Sequence, residues 1–329
     1  MCTGVHYRTK NSYFGRNLDY DVSYNEVIVI TPRQYDISLR HHETIKNHYA
    51  MIGMATVIND FPLYYDATNE FGLSVAGLNF SGNAHYDPPC PEGKNITSFE
   101  FIPWLLGTCK NLEDVQIALD GLTMTDESFA PELPASPLHW LIADQQGCMV
   151  YEYTSLGGHL YDNPIGVLTN NPPFPYHLTH LQDYLHVSNG PLINNLLSDI
   201  SVEAYSRGMG ALGLPGDLSS ASRFVRAAYT KLNSVSGDDE ASSVQQFFDI
   251  LDSVAQAKGC CYLGQNQYDE PNYEYTLYSS CCNMDKGIYY YKTHENSNVT
   301  AVDMHHENLE ANQLIIYNLD RNWQVRLMN

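Results

Sequence analysis

The chain has 329 residues, long enough for a sizeable core and within reach of one large domain or two ordinary ones. Its 17 basic and 38 acidic residues give a formal charge of −21, which argues against a nucleic-acid or anionic-membrane partner, since both rely on basic patches. The composition, 43% hydrophobic and 17% charged, excludes a disordered acidic chain, and no apolar run approaches the roughly 18 residues of a membrane span.

In chain order, Gly4–Tyr7, Tyr13–Arg16, Glu26–Thr31, Ala50–Ile58 and Leu73–Asn79 read as strands, rich in Val, Ile and aromatics with turn residues between them. Ser98–Cys109 and Leu112–Leu119 read as a helical pair. Asn111 is placed to cap the second, with Glu113 and Asp114 in its first turn. Strands return at Leu138–Ala143, Cys148–Tyr153 and Gly166–Thr169, and helices at Tyr176–Leu185, Ser220–Leu232 and Ser242–Ala257. The tail, with Glu274–Ser280, Gly287–Lys292, Val299–Met304 and Leu314–Tyr317, reads as an antiparallel meander. Clustered short strands interrupted by helix pairs fit antiparallel sheets with helices on their outer faces, an α+β chain. The regular strand–helix alternation of a doubly wound parallel sheet is absent. The N-terminus shows no basic start followed by an apolar core, so no secretory signal is read and the eight cysteines are expected as free thiols in a cytoplasmic protein.

Three motifs are set aside on physical grounds. Gly208, Gly210 and Gly213 match a dinucleotide-binding spacing, but Leu214-Pro215-Gly216-Asp217 follows where a helix should open. His177 and His180, with Asp183 and His186 beyond, share one side of a predicted helix without an intervening glutamate base, and read as a wet helix face. The Cys260-Cys261 and Cys281-Cys282 doublets lack metal-ligand spacing and read as small buried hydrophobes. No metal site and no cofactor is expected. Arg223 and Arg226 share a helix face with Phe224, Val225, Ala227 and Ala228 around them, which leaves room for a buried, paired arginine.

The informative position is the second. Removal of Met1 before a small residue leaves Cys2 with both a thiol and a free α-amine. An α-amine titrates at roughly 7.7–8.0 and a thiol at roughly 8.5, so near neutral pH the amine can take the thiol proton. Phe14-Gly15-Arg16-Asn17-Leu18-Asp19 supplies a guanidinium to favour thiolate and a carboxylate to orient the amine. Asn79 and Asn170, at two strand ends, offer neutral amide donors suited to an oxyanion. From spacing alone, Arg16 and Asp19 read more readily as a fold-holding ion pair and the asparagines as turn residues.

Together, Cys2-Thr3, Phe14 to Asp19, Ala76-Gly77-Leu78-Asn79-Phe80, Leu168-Thr169-Asn170, Leu214 to Asp217 running into Ser222-Arg223-Phe224, Tyr275-Thr276 and Gly287 to Tyr291 closely resemble the choloylglycine hydrolase family, which contains bile salt hydrolases and penicillin V acylases. The resemblance implies a single domain over 2–329, Met1 removed, with the αββα four-layer sandwich of N-terminal-nucleophile hydrolases. It implies Cys2 as nucleophile and base, Arg16 beside the thiol, Asp19 at the amine, Asn170 in the oxyanion hole and Arg223 in support. Asn79 is the discriminating position, since bile salt hydrolases typically carry Asn there and penicillin V acylases Tyr. The implied substrates are glycine- or taurine-conjugated bile salts, and the implied assembly is a homotetramer. A steroid needs an apolar concave wall, for which Leu18, Tyr24, Phe61, Tyr65, Phe129 and Leu138 are candidates. Two alternatives stay open: an acylase preferring penicillin V, and a non-enzymatic relative that binds acyl conjugates with Met1 retained.

Overall fold

The computed structural model describes residues 1–194 and 202–329. Its strands are β1 (Cys2–Arg8), β2 (Ser12–Tyr20), β3 (Val27–Thr31), β4 (Met51–Ile58), β5 (Phe61–Asn69), β6 (Ser74–Asn79), β7 (Lys94–Thr97), β8 (Leu122–Thr125), β9 (Leu138–Ala143), β10 (Cys148–Thr154), β11 (Gly157–Asp162), β12 (Val167–Leu168), β13 (Cys261–Gln265), β14 (Pro271–Asn283), β15 (Ile288–Thr293), β16 (Thr300–Asp303) and β17 (Ile315–Asn318). The helices are α1 (Phe101–Thr108), α2 (Leu112–Leu119), α3 (Phe174–His180), α4 (Ser220–Asn233) and α5 (Glu240–Asp252).

Two antiparallel sheets stack face to face. One runs β12-β1-β2-β14-β15-β16 with β13 added on β14; the other runs β11-β10-β9-β6-β5-β4-β3-β17. Contacts of β1 and β2 with β6 join the sheets, α4 and α5 cover the first, and α1 covers the second. The result is a four-layer αββα sandwich, with one apolar core gathering Val5, Phe14, Leu78 and Leu141 with Phe224 and Phe247. A second core lies under α1 and α2, around Phe101, Leu105, Trp140 and Tyr151. Buried on both sides, β2 shows no apolar/polar alternation, because one face meets the other sheet and the next meets helices.

Local chemistry explains the boundaries. Pro103 sits in the first turn of α1, where its missing N–H has no intrahelical partner to lose. The Asn111 side chain accepts from the Asp114 N–H at 3.0 Å and caps α2 as its sequence predicts. A Cβ at Gly15 would lie 2.0 Å from the Ser280 carbonyl oxygen, so only glycine lets β2 and β14 approach this closely.

Three expectations need correction. The tail is a meander only through β16; β17 crosses to the other sheet and pairs with β3, Ile315 opposite Ile30. A strand pattern marks β17 as extended, but the Arg33 N–H to Leu309 carbonyl bond, 2.9 Å, ties the crossing segment to that other edge. The helix expected over Tyr176–Leu185 is α3 followed by a tighter turn, Leu181–Tyr184. Cys281 and Cys282 are buried as expected, whereas Cys260 is exposed and Cys261 half-buried on the β13 edge; all eight thiols are free.

Candidate active site

The pleat of the β1–β2 hairpin sorts the site residues into two faces. Cys2 pairs with Leu18 and Gly4 with Arg16, and residues two apart share a face. That face looks toward the second sheet, where a Cβ on Gly4 would meet Leu141 and Leu78. Thr3, Asn17 and Asp19 fall on the opposite face, toward the helices: Asn17 Nδ2 donates to the Leu251 carbonyl, and Arg223 on α4 reaches Thr3. Arg16 and Leu18 therefore stand on the thiol side, and Asp19 on the helix side.

On the helix side, Arg223 is fully buried and connects four groups. Its Nη1 donates to the Cys2 carbonyl at 2.5 Å and to Thr3 Oγ1 at 2.7 Å; its Nη2 donates to Asn170 Oδ1 at 2.7 Å; its Nε donates to the Leu218 carbonyl at 3.0 Å. It also lies 3.9 Å from Asp19 Oδ2. Burial pulls the guanidinium pKa down, opposed by Asp19 and Cys2. Asp19 accepts from Thr276 Oγ1 at 2.6 Å and from Gln256 Nε2 at 3.1 Å. Between Thr276 and Tyr278 the register of β14 against β2 shifts, a bulge beside the residue whose hydroxyl meets Asp19.

Asn170 ties the two sides together. Its Oδ1 accepts from the Cys2 N–H at 2.8 Å, and its Nδ2 donates to the Asn79 carbonyl at 2.7 Å, which leaves one Nδ2 hydrogen for another acceptor. Asn79 uses its side-chain Oδ1 locally, accepting from the Ser81 N–H at 3.1 Å. Its backbone is the more informative part. Leu138, opposite Asn79, gives its N–H to Tyr86 Oη, while the Phe80 N–H bonds the Pro137 carbonyl. Antiparallel alternation then turns the Asn79 N–H and C=O together away from β9, toward Asn170 and the thiol side.

Arg16 fills the gap where β5 and β6 diverge. Their pairing ends at Asp66 opposite Ala76, and Tyr65 is the extra residue where β5 slips against β4. The carbonyls released by this divergence are taken by Arg16 Nη1, at 3.1 Å for Tyr65 and in a short contact for Gly77. Burial disfavours the charge, but Cys2, Tyr278, Asp66 and Asp19 outweigh it and raise the pKa. Asp66 is itself held by Tyr289 Oη at 2.6 Å and Tyr278 Oη at 3.0 Å.

Met1 is present, extending the ladder by one residue: its amine donates to the Asp19 carbonyl at 2.7 Å and lies 2.8 Å from Glu274 Oε1. Of the six apolar candidates, Leu18 faces Cys2 across the hairpin and Tyr65 hands its carbonyl to Arg16. Leu138 lies opposite Asn79, and Tyr24 is linked to Tyr65 through Thr56, whose hydroxyl bonds the Tyr24 carbonyl at 3.1 Å and Tyr65 Oη at 2.9 Å. Phe61 and Phe129 instead meet Phe99 edge to face in a trio of their own.

Several site residues escaped the sequence reading. Gln256 and Glu274 come from a loop and a strand remote in sequence, with no local pattern to mark them, and Thr276 stood in the resemblance without a role at Asp19. His177 corrects an expectation: it is fully buried, and its Nε2 donates to the Asn170 carbonyl at 2.9 Å. Burial pushes its pKa down to about 4. The imidazole–aromatic spacing of His177 and Phe224, stacked at 4.8 Å, was available only once α3 and α4 were packed. Among the described residues, no group of three or more His, Cys, Asp or Glu is disposed to hold a metal ion. Among the described residues, the 208–213 glycines form a turn and a short tight helix with no strand leading into them.

Comparison with known proteins adds an independent line. Residues 2–317 match the family described as linear amide C–N hydrolases, choloylglycine hydrolase family. A bile salt hydrolase/transferase of Lactiplantibacillus plantarum is 50% identical over 329 residues, covering both chains completely. A crystal structure of a mutant conjugated bile acid hydrolase from Clostridium perfringens superposes with a TM-score of 0.90 at 35% identity over the whole of both chains. The penicillin V acylase of Agrobacterium tumefaciens shares the fold, with a TM-score of 0.73 at 17% identity over 97% of this chain and 91% of that one.

Proposed function

The chain belongs to the choloylglycine hydrolase family of linear amide C–N hydrolases, and from that premise we propose that it cleaves glycine- or taurine-conjugated bile salts through Cys2. The observation that carries this reading is the end-to-end 50% identity with a bile salt hydrolase/transferase, joined to a Cys2 already surrounded by Arg16, Asn170, Arg223 and the Asn79 backbone. We infer that Met1 is removed, leaving a mature single domain over 2–329, and that the protein is cytoplasmic and homotetrameric. No helix among the described residues is long and apolar enough to cross a membrane.

The geometry supports the following course. Loss of Met1 converts the Cys2 N–H into an amine that keeps Asn170 Oδ1 as an acceptor, while Arg223 holds the Cys2 carbonyl and Asp19 supplies the counter-charge. The free amine takes the thiol proton, and Arg16 favours the resulting thiolate. Sulfur attacks the amide carbonyl. The oxyanion is met by the spare Nδ2 hydrogen of Asn170 and the Asn79 N–H, two neutral donors fixed before reaction. The protonated amine gives its proton to the departing glycine or taurine, and water hydrolyses the thioester. Leu18, Tyr65, Leu138 and Tyr24 offer apolar surface beside the site, with Phe61 on β5 and Phe129 in the loop after β8 forming a separate aromatic group.

The test combines intact mass, iodoacetamide labelling and glycine release from glycocholate, with penicillin V in parallel. The reading expects loss of one methionine, rapid alkylation at Cys2 and much faster turnover of glycocholate. A mature, alkylatable protein that cleaves penicillin V far faster refutes the substrate assignment. Retained Met1 with no turnover of either favours the binding-protein alternative.

A further inference from the structure

Behind Asn79 and Asn170 lies a buried pair that the mechanism above does not use. His139 on β9 and Glu152 on β10 are both fully buried, with His139 Nδ1 3.0 Å from Glu152 Oε1. His139 Nε2 lies 3.0 Å from the Thr169 carbonyl, the residue just before Asn170. Glu152 Oε1 also accepts from the Phe174 N–H at 2.9 Å, at the start of α3. The imidazole is stacked on Phe80, the residue just after Asn79, at 4.3 Å and 7°. One ring therefore touches both chain segments that carry the proposed oxyanion donors.

We propose that His139 and Glu152 are positioning residues that fix the spacing between the Asn79 N–H and Asn170 Nδ2. Both ring nitrogens face acceptor oxygens, so the imidazole and carboxyl together hold two protons, and the ring donates on its Thr169 side. Thr169 is otherwise anchored through its hydroxyl, to Ser220, and Asn170 through its own N–H, to Ser220 Oγ. Those bonds hold the segment to α4. His139 holds it, one residue before Asn170, to the sheet that carries Asn79, beside the direct bond from Asn170 Nδ2 to the Asn79 carbonyl. His177 adds a second imidazole, on the Asn170 carbonyl, 2.9 Å away. A purely stabilising role explains the pair poorly. Buried ionic pairs are weak contributors to stability, and Glu152 Oε2 is buried with no hydrogen-bond partner among the described residues.

The inference rests on the amide hydrolysis proposed above, so two readouts are kept apart. Wild-type turnover tests that reading; the ratio of variant to wild type tests this one, with penicillin V as substrate if glycocholate is not cleaved. Acylation and deacylation both pass through a tetrahedral oxyanion, whereas alkylation of Cys2 by iodoacetamide displaces iodide and forms none. His139→Phe keeps the stacking and removes both ring nitrogens. It is expected to lower kcat about 100-fold, with KM within threefold and the alkylation rate unchanged. His139→Gln, whose amide can still donate toward Thr169, is expected to recover at least tenfold of that loss. A folded His139→Phe with near-wild-type kcat overturns the proposal, as does an equal loss of turnover and alkylation. If His139→Phe does not fold, Glu152→Gln decides: a volume-conserving loss of about tenfold in kcat at constant alkylation supports it, and unchanged kcat overturns it.

Discussion

His6 makes the protein acid-sensitive in a way that can be isolated from catalysis. The ring is buried on β1, its Nε2 has no hydrogen-bond partner among the described residues, and burial together with Lys231 pushes its pKa from 6.5 to about 4, with Asp144 opposing. The folded protein therefore holds a neutral ring over a range in which the unfolded chain is protonated. Between pH 6.5 and 4 the unfolded state binds more protons, so stability falls as pH falls through that window. Over the full window the loss is about 3 kcal/mol, and between pH 7.5 and 5 it is about 2 kcal/mol. For a chain of this length that corresponds to roughly 3 °C in the unfolding midpoint. His177, also lowered to about 4, loses stability over the same window, so the wild type carries two such contributions. His6→Gln removes one. Thermal unfolding of both proteins at pH 7.5 and pH 5 is the assay, and the variant's midpoint is expected to drop by roughly 3 °C less than the wild type's. Equal drops in the two proteins refute the reasoning.

Arg223→Leu withdraws the donors from the Cys2 carbonyl, Thr3 Oγ1 and Asn170 Oδ1, and the cation from Asp19. Breaking a buried charge pair from one side costs about 3–5 kcal/mol, so a lowered urea midpoint and lost glycocholate turnover are expected; a variant as stable as wild type counts against the assigned geometry. Gly15→Ala forces a methyl within 2.0 Å of the Ser280 oxygen and 2.6 Å of its carbonyl carbon, both backbone atoms of β14. The two strands must part, at a cost of about 3 kcal/mol, seen as a midpoint shift or insoluble expression, and an unperturbed variant contradicts the close approach.

Strands and helices dense in one residue class were legible because hydrophobic pattern and caps act locally: β1, β3, β4, β6, α2 and α4 lie close to where the sequence placed them, whereas β2 runs on from Arg16 to Tyr20 through Asn17 and Asp19. Strands that carry polar or turn-forming residues were not. β5 contains Pro62 and Asp66, β11 opens with two glycines, and β13 includes Gly264, so neither alternation nor an apolar run marks them. They are strands because neighbours supply their hydrogen bonds, as β4 does for β5 and β10 for β11.

The site divides the same way. A cysteine at position 2 with Arg16 and Asp19 on one following strand is local information, and the pleat alone sends the arginine to one face and the aspartate to the other. Residue type and family resemblance reached Asn79, Asn170 and Arg223, but not what they do to one another. That Asn79 turns its backbone rather than its side chain toward Asn170 follows from the pairing of β6 with β9, and that Arg16 finds two free carbonyls follows from the splitting of β5 from β6. Gln256, Thr276, His177 and the His139–Glu152 pair enter through contacts among residues far apart in the chain. Such contacts exist only after both sheets and α4 have closed, because a hydrogen bond between remote groups has no signature in the order of residues along the chain.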